Sequence, residues 1–181
     1  MQTYDLTAHP LHPPQAVRRI AATLDGRDPH WLRLRWRIEG ARQISRPPFA
    51  GRRRADGLWQ TTCAELFAAD AGGGGAYREF NFAPSESWAV YDFSAPRVPA
   101  GDAAPQVPKP VIAWRGSGDI AIMDVAVRRD ALPVGPLACN ITAVIDEGGR
   151  RSFWALAHGG TAPDFHDRTC FTARLAPPAW Q

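Results

Sequence analysis

Trp31-Leu32-Arg33-Leu34-Arg35-Trp36-Arg37-Ile38-Glu39, closed by Gly40, decides the fold class of this chain. Leu32, Leu34, Trp36 and Ile38 alternate with Arg33, Arg35, Arg37 and Glu39. Successive side chains of an extended strand point to opposite faces, so the period of two predicts a strand with one apolar and one charged side. The four outward charges place it in an antiparallel sheet with one wetted face.

Short strands recur outward from this stretch, at about residues 63–69, 77–82, 88–94, 107–114, 119–128, 138–146, 152–158 and 170–175. Turn-forming runs separate them: Gly72-Gly73-Gly74-Gly75, Pro84-Ser85-Glu86-Ser87, Pro96 to Pro108, Gly116-Ser117-Gly118, Pro133 to Pro136, and Asp146-Glu147-Gly148-Gly149. Such punctuation predicts an all-β fold, a two-sheet antiparallel β-sandwich of jelly-roll type with about nine to eleven strands. The expectation is one domain over residues 1–181. His9-Pro10-Leu11-His12-Pro13-Pro14 leaves residues 1–14 as an irregular N-terminal segment. Residues 15–24 fit either a short helix or a strand running into a turn at Asp25-Gly26. Residues 41–57 and 95–106 read as ordered loops.

The alternation also assigns faces. Ala64, Leu66 and Ala68 pack inward while Cys63, Glu65 and Phe67 face the other way; Arg78, Phe80 and Phe82 share one side and Tyr77, Glu79 and Asn81 the other. Cys139, Ile141, Ala143 and Ile145 pack, with Asn140 and Thr142 opposite. Residues 119–127 are apolar on both faces except at Asp124, which predicts a central strand buried between sheets.

The chain has 181 residues, 45% of them hydrophobic, enough for a core without staples. Its 17 prolines and 16 glycines disfavour long helices. Cys63, Cys139 and Cys170 are too few and too far apart for a disulfide framework and suit a reducing compartment. The N-terminus lacks a basic start with an apolar run, and no stretch of ~18 apolar residues occurs, so neither a signal peptide nor a membrane span is expected. A cytoplasmic protein follows. Residues 1–60 hold eleven arginines against five acids, densest at Arg52-Arg53-Arg54. No aromatic stripe interleaves this cluster, which argues against nucleic-acid binding and for a solvated loop.

Trp59, Glu65, Glu79 and Asn81 form the candidate site. If their strands are neighbours, an indole stands beside two acceptors and an amide. An indole offers a flat apolar surface to the C–H bonds of a sugar ring, and carboxylates accept from its hydroxyls. This favours a non-catalytic binding domain for a small saccharide or other polar metabolite. A plain core role for Trp59 is the alternative. Paired Glu65 and Glu79 also permit a glycoside hydrolase, and an exposed sandwich face permits a protein-interaction module or a homodimer. Asp164 and His166 read as hydrogen-bonding ties of their loop. His158, Asp164 and His166 match no tight zinc spacing, no Gly-x-Ser-x-Gly elbow occurs, and Cys170 and Met123 read as core filler. No catalytic residue, metal ligand or cofactor is assigned, with haem, calcium and zinc left open.

Three segments carry a family resemblance: Ala55 to Glu65, Tyr77 to Ser85, and Phe153 to His158 with Pro163 to His166. From about His9 to Leu175 the chain resembles the DOMON-like superfamily, and within it bacterial proteins akin to family 9 carbohydrate-binding modules. The resemblance implies a two-sheet β-sandwich in which a groove holds a terminal sugar between two tryptophans. By position, Trp59 resembles the first tryptophan of that clamp, Glu65 its acidic neighbour and Asn81 the amide that reads sugar hydroxyls. Trp154 is the candidate second tryptophan. Tyr77 and His158 complete the candidate ligand-binding set, with His158 expected to be structural or to edge the groove. Glu79 stands where the sugar binders place an arginine, which changes the charge of the site.

Overall fold

The strand predicted at 31–39 is β3 (Trp31–Glu39) in a computed structural model that describes residues 1–49, 51–116 and 118–178. Twelve strands occur among the described residues. The others are β1 (Gln2–Ala8), β2 (Arg19–Asp25), β4 (Cys63–Asp70), β5 (Tyr77–Phe82), β6 (Trp88–Ala95), β7 (Val98–Pro99), β8 (Val111–Arg115), β9 (Ile120–Arg128), β10 (Leu137–Glu147), β11 (Arg150–Ala155) and β12 (Ala173–Leu175). All ladders between these strands are antiparallel.

One layer runs β8-β9-β3-β2-β1 and the other β7-β6-β5-β4-β10-β11. β12 shares with β11 the edge of β10 that β4 leaves free. β1 joins the layers: its residues 2–6 pair with β2, and Thr7 and Ala8 pair with β11. The inward faces meet in one apolar core. Leu32, Leu34, Trp36 and Ile38 enter it from β3, and Ala64, Leu66, Phe80, Phe82, Ile141 and Ile145 from the opposite layer. Trp36 also donates its indole N–H to the Thr142 carbonyl across the layers, at 3.1 Å. The two-sheet antiparallel sandwich is therefore the observed fold, with Gly72–Gly75 at the β4–β5 turn as expected.

Four expectations change. Residues 2–8 are a strand, not irregular; Tyr4, Leu6 and Ala8 pack on the core, and irregular chain begins at His9. Residues 19–25 are strand, which resolves the helix alternative. β9 is not sealed on both faces: Ala121, Met123, Val125 and Val127 are buried, while the alternate residues are partly exposed, Ile120 most of all at 41%. Residues 95–106 contain the short strand β7, in a hairpin with β6. The Gly116-Gly118 turn joins β8 to β9, with Ser117 outside the described residues.

The face of the second layer that points away from the main core is also apolar. Phe67, Tyr77, Ala138, Val144, Phe165 and Phe171 form a second cluster there, because the chain between β11 and β12 folds over it. That loop covers only part of the face. The rest is the floor of a pocket.

Candidate ligand-binding site

The pocket has a volume of about 710 Å³. Its floor crosses five adjacent strands: Tyr91 and Phe93 on β6, Glu79 on β5, Glu65 and Phe67 on β4, Val144 on β10 and Phe153 on β11. The strand ladders put these residues together. Tyr91 is opposite Glu79 and Glu79 opposite Phe67; Asn81 is opposite Glu65 and Glu65 opposite Thr142; Val144 is opposite Phe153. Since alternate residues share a face, the acids of β4 and β5 become diagonal neighbours.

Loops make the walls. Gly57 adopts a left-handed conformation, φ 71°, which glycine tolerates without steric cost, and starts the 3-10 turn Leu58–Gln60. The turn presents Trp59, 47% exposed, at the pocket. Asp56 accepts from the Tyr91 hydroxyl at 2.7 Å and from Arg54 at 3.0 Å. From the opposite side come Pro163, Phe165 and His166. Asn140, beneath this loop, donates its amide to the Phe165 carbonyl at 3.2 Å. His166 Nδ1 lies 2.6 Å from the Tyr77 hydroxyl, which also accepts from the Arg97 backbone N–H at 3.0 Å. Arg97 holds a left-handed φ of 62° in the β6–β7 turn, and its guanidinium reaches Asp164 at 2.9 Å. Such strain in a non-glycine residue gathers where the surroundings enforce it. The expected hydrogen-bonding ties of Asp164 and His166 are present.

The two acids are 2% and 5% exposed. The Thr142 hydroxyl donates to Glu65 Oε2 at 3.0 Å, and the Asn81 amide donates to Glu79 Oε1 at 2.7 Å. Burial, with the Glu79 charge next, lifts Glu65 well above the usual carboxylate range. Burial lifts Glu79 to about 7, against the lowering effect of the Asn81 hydrogen bond. His166 is pushed down to about 4 by burial and then by Arg97, so its imidazole is neutral near pH 7.

Trp59, Glu65 and Glu79 therefore line one pocket. Asn81 is wholly buried and props Glu79, so it cannot read a ligand directly. Tyr77 braces His166 and Arg97 from behind the wall. Trp154 does not face the pocket: it is 4% exposed in the main core, donating to the Ser152 hydroxyl at 2.9 Å, and its neighbour Phe153 takes the pocket side. His158 lies beyond the end of β11, with Nε2 2.9 Å from the Thr7 carbonyl and its ring against His9, and is not among the lining residues. It is thus separate from His166, and no three His, Cys, Asp or Glu side chains among the described residues gather as metal donors. Sequence reasoning missed Asp56, Tyr91, Phe93, Arg97 and Phe153 as lining residues. Tyr91 and Phe93 follow from strand phase once β5 and β6 are paired; Asp56 and Arg97 depend on loop paths.

Comparison with solved structures gives the fold its name. A candidate carbohydrate-binding protein from Bacteroides uniformis superposes with a TM-score of 0.67 at 15% identity, over 97% of this chain and 85% of that one. The chain shares its fold with family 9 carbohydrate-binding modules. A module of that family from Caldicellulosiruptor kristjanssonii in complex with glucose matches with a TM-score of 0.60 at 7% identity, over 94% of this chain and 82% of that one. The same organism's family 9 module in complex with cellotriose matches at 0.56 and 8% identity, over 83% and 71%. Neither the protein-family models nor the curated proteins contain a match to the sequence.

Proposed function

We propose that this protein is a non-catalytic binding module for a small saccharide or a closely similar polyol. One observation carries the reading: a half-exposed indole, Trp59, borders a pocket whose floor presents two carboxyl groups between aromatic side chains. Apolar walls with a few convergent polar groups are what a small-molecule site requires. Ring faces of Tyr91, Phe93 and Phe153 suit the C–H face of a sugar, and the carboxyl groups suit its hydroxyls. The shared fold with sugar-complexed modules supports the same assignment.

Binding is favoured over hydrolysis by the state of the two acids. A retaining or inverting glycosidase needs one carboxyl as proton donor and a second free to attack or to activate water. Here each acid is nearly fully buried, with one oxygen already engaged by Thr142 or Asn81. A cytoplasmic setting belongs to the same proposal and is supported by three buried, unbridged thiols. Tryptophan fluorescence titration against monosaccharides, disaccharides and nucleotide sugars tests the assignment. Saturable quenching by at least one sugar is expected, and a flat response to every sugar would remove it.

A further inference from the structure

Glu65 Oε2 and Glu79 Oε1 are occupied by Thr142 and Asn81, which leaves Glu65 Oε1 and Glu79 Oε2 without a hydrogen bond among the described residues. Both carboxyl groups belong to the pocket floor. Neither has a cationic ion-pair partner among the described residues. Glu65 makes no ion pair among the described residues, and the group facing Glu79 Oε2 is the neutral imidazole of His166, with Nε2 at 3.8 Å. Arg97, the cation on the wall, is held by Asp164 at 2.9 Å; its field reaches Glu79 but acts less than the Asn81 hydrogen bond does. Asp56 at the rim is likewise matched by Arg54. The carboxyl groups that lack a counter-charge therefore sit at the pocket floor.

Trp59, Tyr91, Phe93, Phe153 and Phe165 line the same pocket as these two acids. Aromatic faces are electron-rich and attract cations. A charge-assisted hydrogen bond to a carboxylate is stronger than one between neutral groups. A neutral hydroxyl satisfies the lone pairs of these carboxyl groups but gives their ionised forms no counter-charge.

We infer that the pocket takes a small saccharide bearing a protonated amine, with the ammonium group seated between Glu65 Oε1 and Glu79 Oε2. This rests on the saccharide-binding reading above and names the class of sugar. Burial without a counter-charge keeps both acids protonated to higher pH than usual, so a seated ammonium favours their ionised forms and releases protons. The amine thus supplies the partner that the fold withholds.

Calorimetry with glucosamine, glucose and N-acetylglucosamine at about pH 7 separates the possibilities. Glucosamine should bind at least about tenfold more tightly than either neutral sugar, the scale of one charge-assisted contact. Its observed heat should depend on the ionisation enthalpy of the buffer, because protons are released. Glu79→Gln should weaken glucosamine binding by a larger factor than glucose binding. Equal or tighter binding of glucose would overturn this inference and leave the saccharide reading standing. No binding of any of the three sugars, with wild-type protein shown to be folded, would overturn both.

Discussion

Asn81 stands opposite Glu65 in the β4–β5 ladder, yet its amide donates along its own strand to Glu79 Oε1 at 2.7 Å. The bond opposes burial and keeps Glu79 at about 7. Asn81→Ala removes a donor to the ionised form, so the Glu79 midpoint should climb above its wild-type value. Carbon-detected NMR of labelled glutamate carboxyls reads it directly. An unchanged midpoint would show that the amide does not act on Glu79.

The raised acids also set a pH dependence of stability. Below about pH 4.5 Glu79 is protonated in both the folded and the unfolded chain and contributes no difference. As the pH rises from 4.5 towards 7, the unfolded chain loses this proton first, so the folded state loses relative stability. A shift from 4.5 to about 7 corresponds to about 3 kcal/mol, fully felt above the folded midpoint. Glu79→Gln should therefore gain stability relative to wild type between about pH 5 and pH 8, in paired denaturant titrations. A difference between the two proteins that does not vary with pH would contradict the shift.

Trp59 and Trp154 should part company on mutation. Trp59 is half exposed on a surface turn, so Trp59→Ala should change stability by no more than about 0.5 kcal/mol. Trp154 fills the main core beneath β11, and Trp154→Ala should cost about 3–5 kcal/mol. Urea midpoints of the two variants check this. Similar losses for both would mean that Trp59 is a core plug after all.

Strand phase explains what the sequence revealed of this contrast and what it hid. The period of two in β3, β4 and β5 sorted Phe80 and Phe82 from Glu79 and Asn81 without ambiguity, because apolar and polar residues alternate there. In β11 both faces carry an aromatic residue, at Phe153 and Trp154, so local pattern cannot choose between them. The choice is made by pairing with β10, where Val144 faces Phe153. β1 was missed because Leu6 is its one buried residue and prolines follow closely. Arg97 and Asp56 reach the pocket through turn geometry, and His158 leaves the expected face because β11 ends at Ala155.

The segment between β1 and β2 is held by one side chain from far along the chain. The Glu147 carboxylate accepts from the backbone N–H groups of Gln15, Ala16 and Val17 at 2.8, 2.7 and 3.0 Å. It is buried, so Glu147→Ala strands three donors, and a loss of about 2–4 kcal/mol is expected. Hydrogen exchange should speed up at residues 15–17 before it does in β3. Retained protection at those three amides would show that the strand pairing alone fixes the segment.

Calorimetric titration of wild type and Trp59→Ala with the same sugar panel tests most directly whether Trp59 and the Glu65–Glu79 floor form a saccharide site. Saturable, one-site heat is expected for at least one sugar with wild type, and a loss of about tenfold or more in affinity for the folded Trp59→Ala variant, the scale of one lost aromatic contact. An affinity unchanged by Trp59→Ala, or no heat from any sugar with folded wild-type protein, would contradict it.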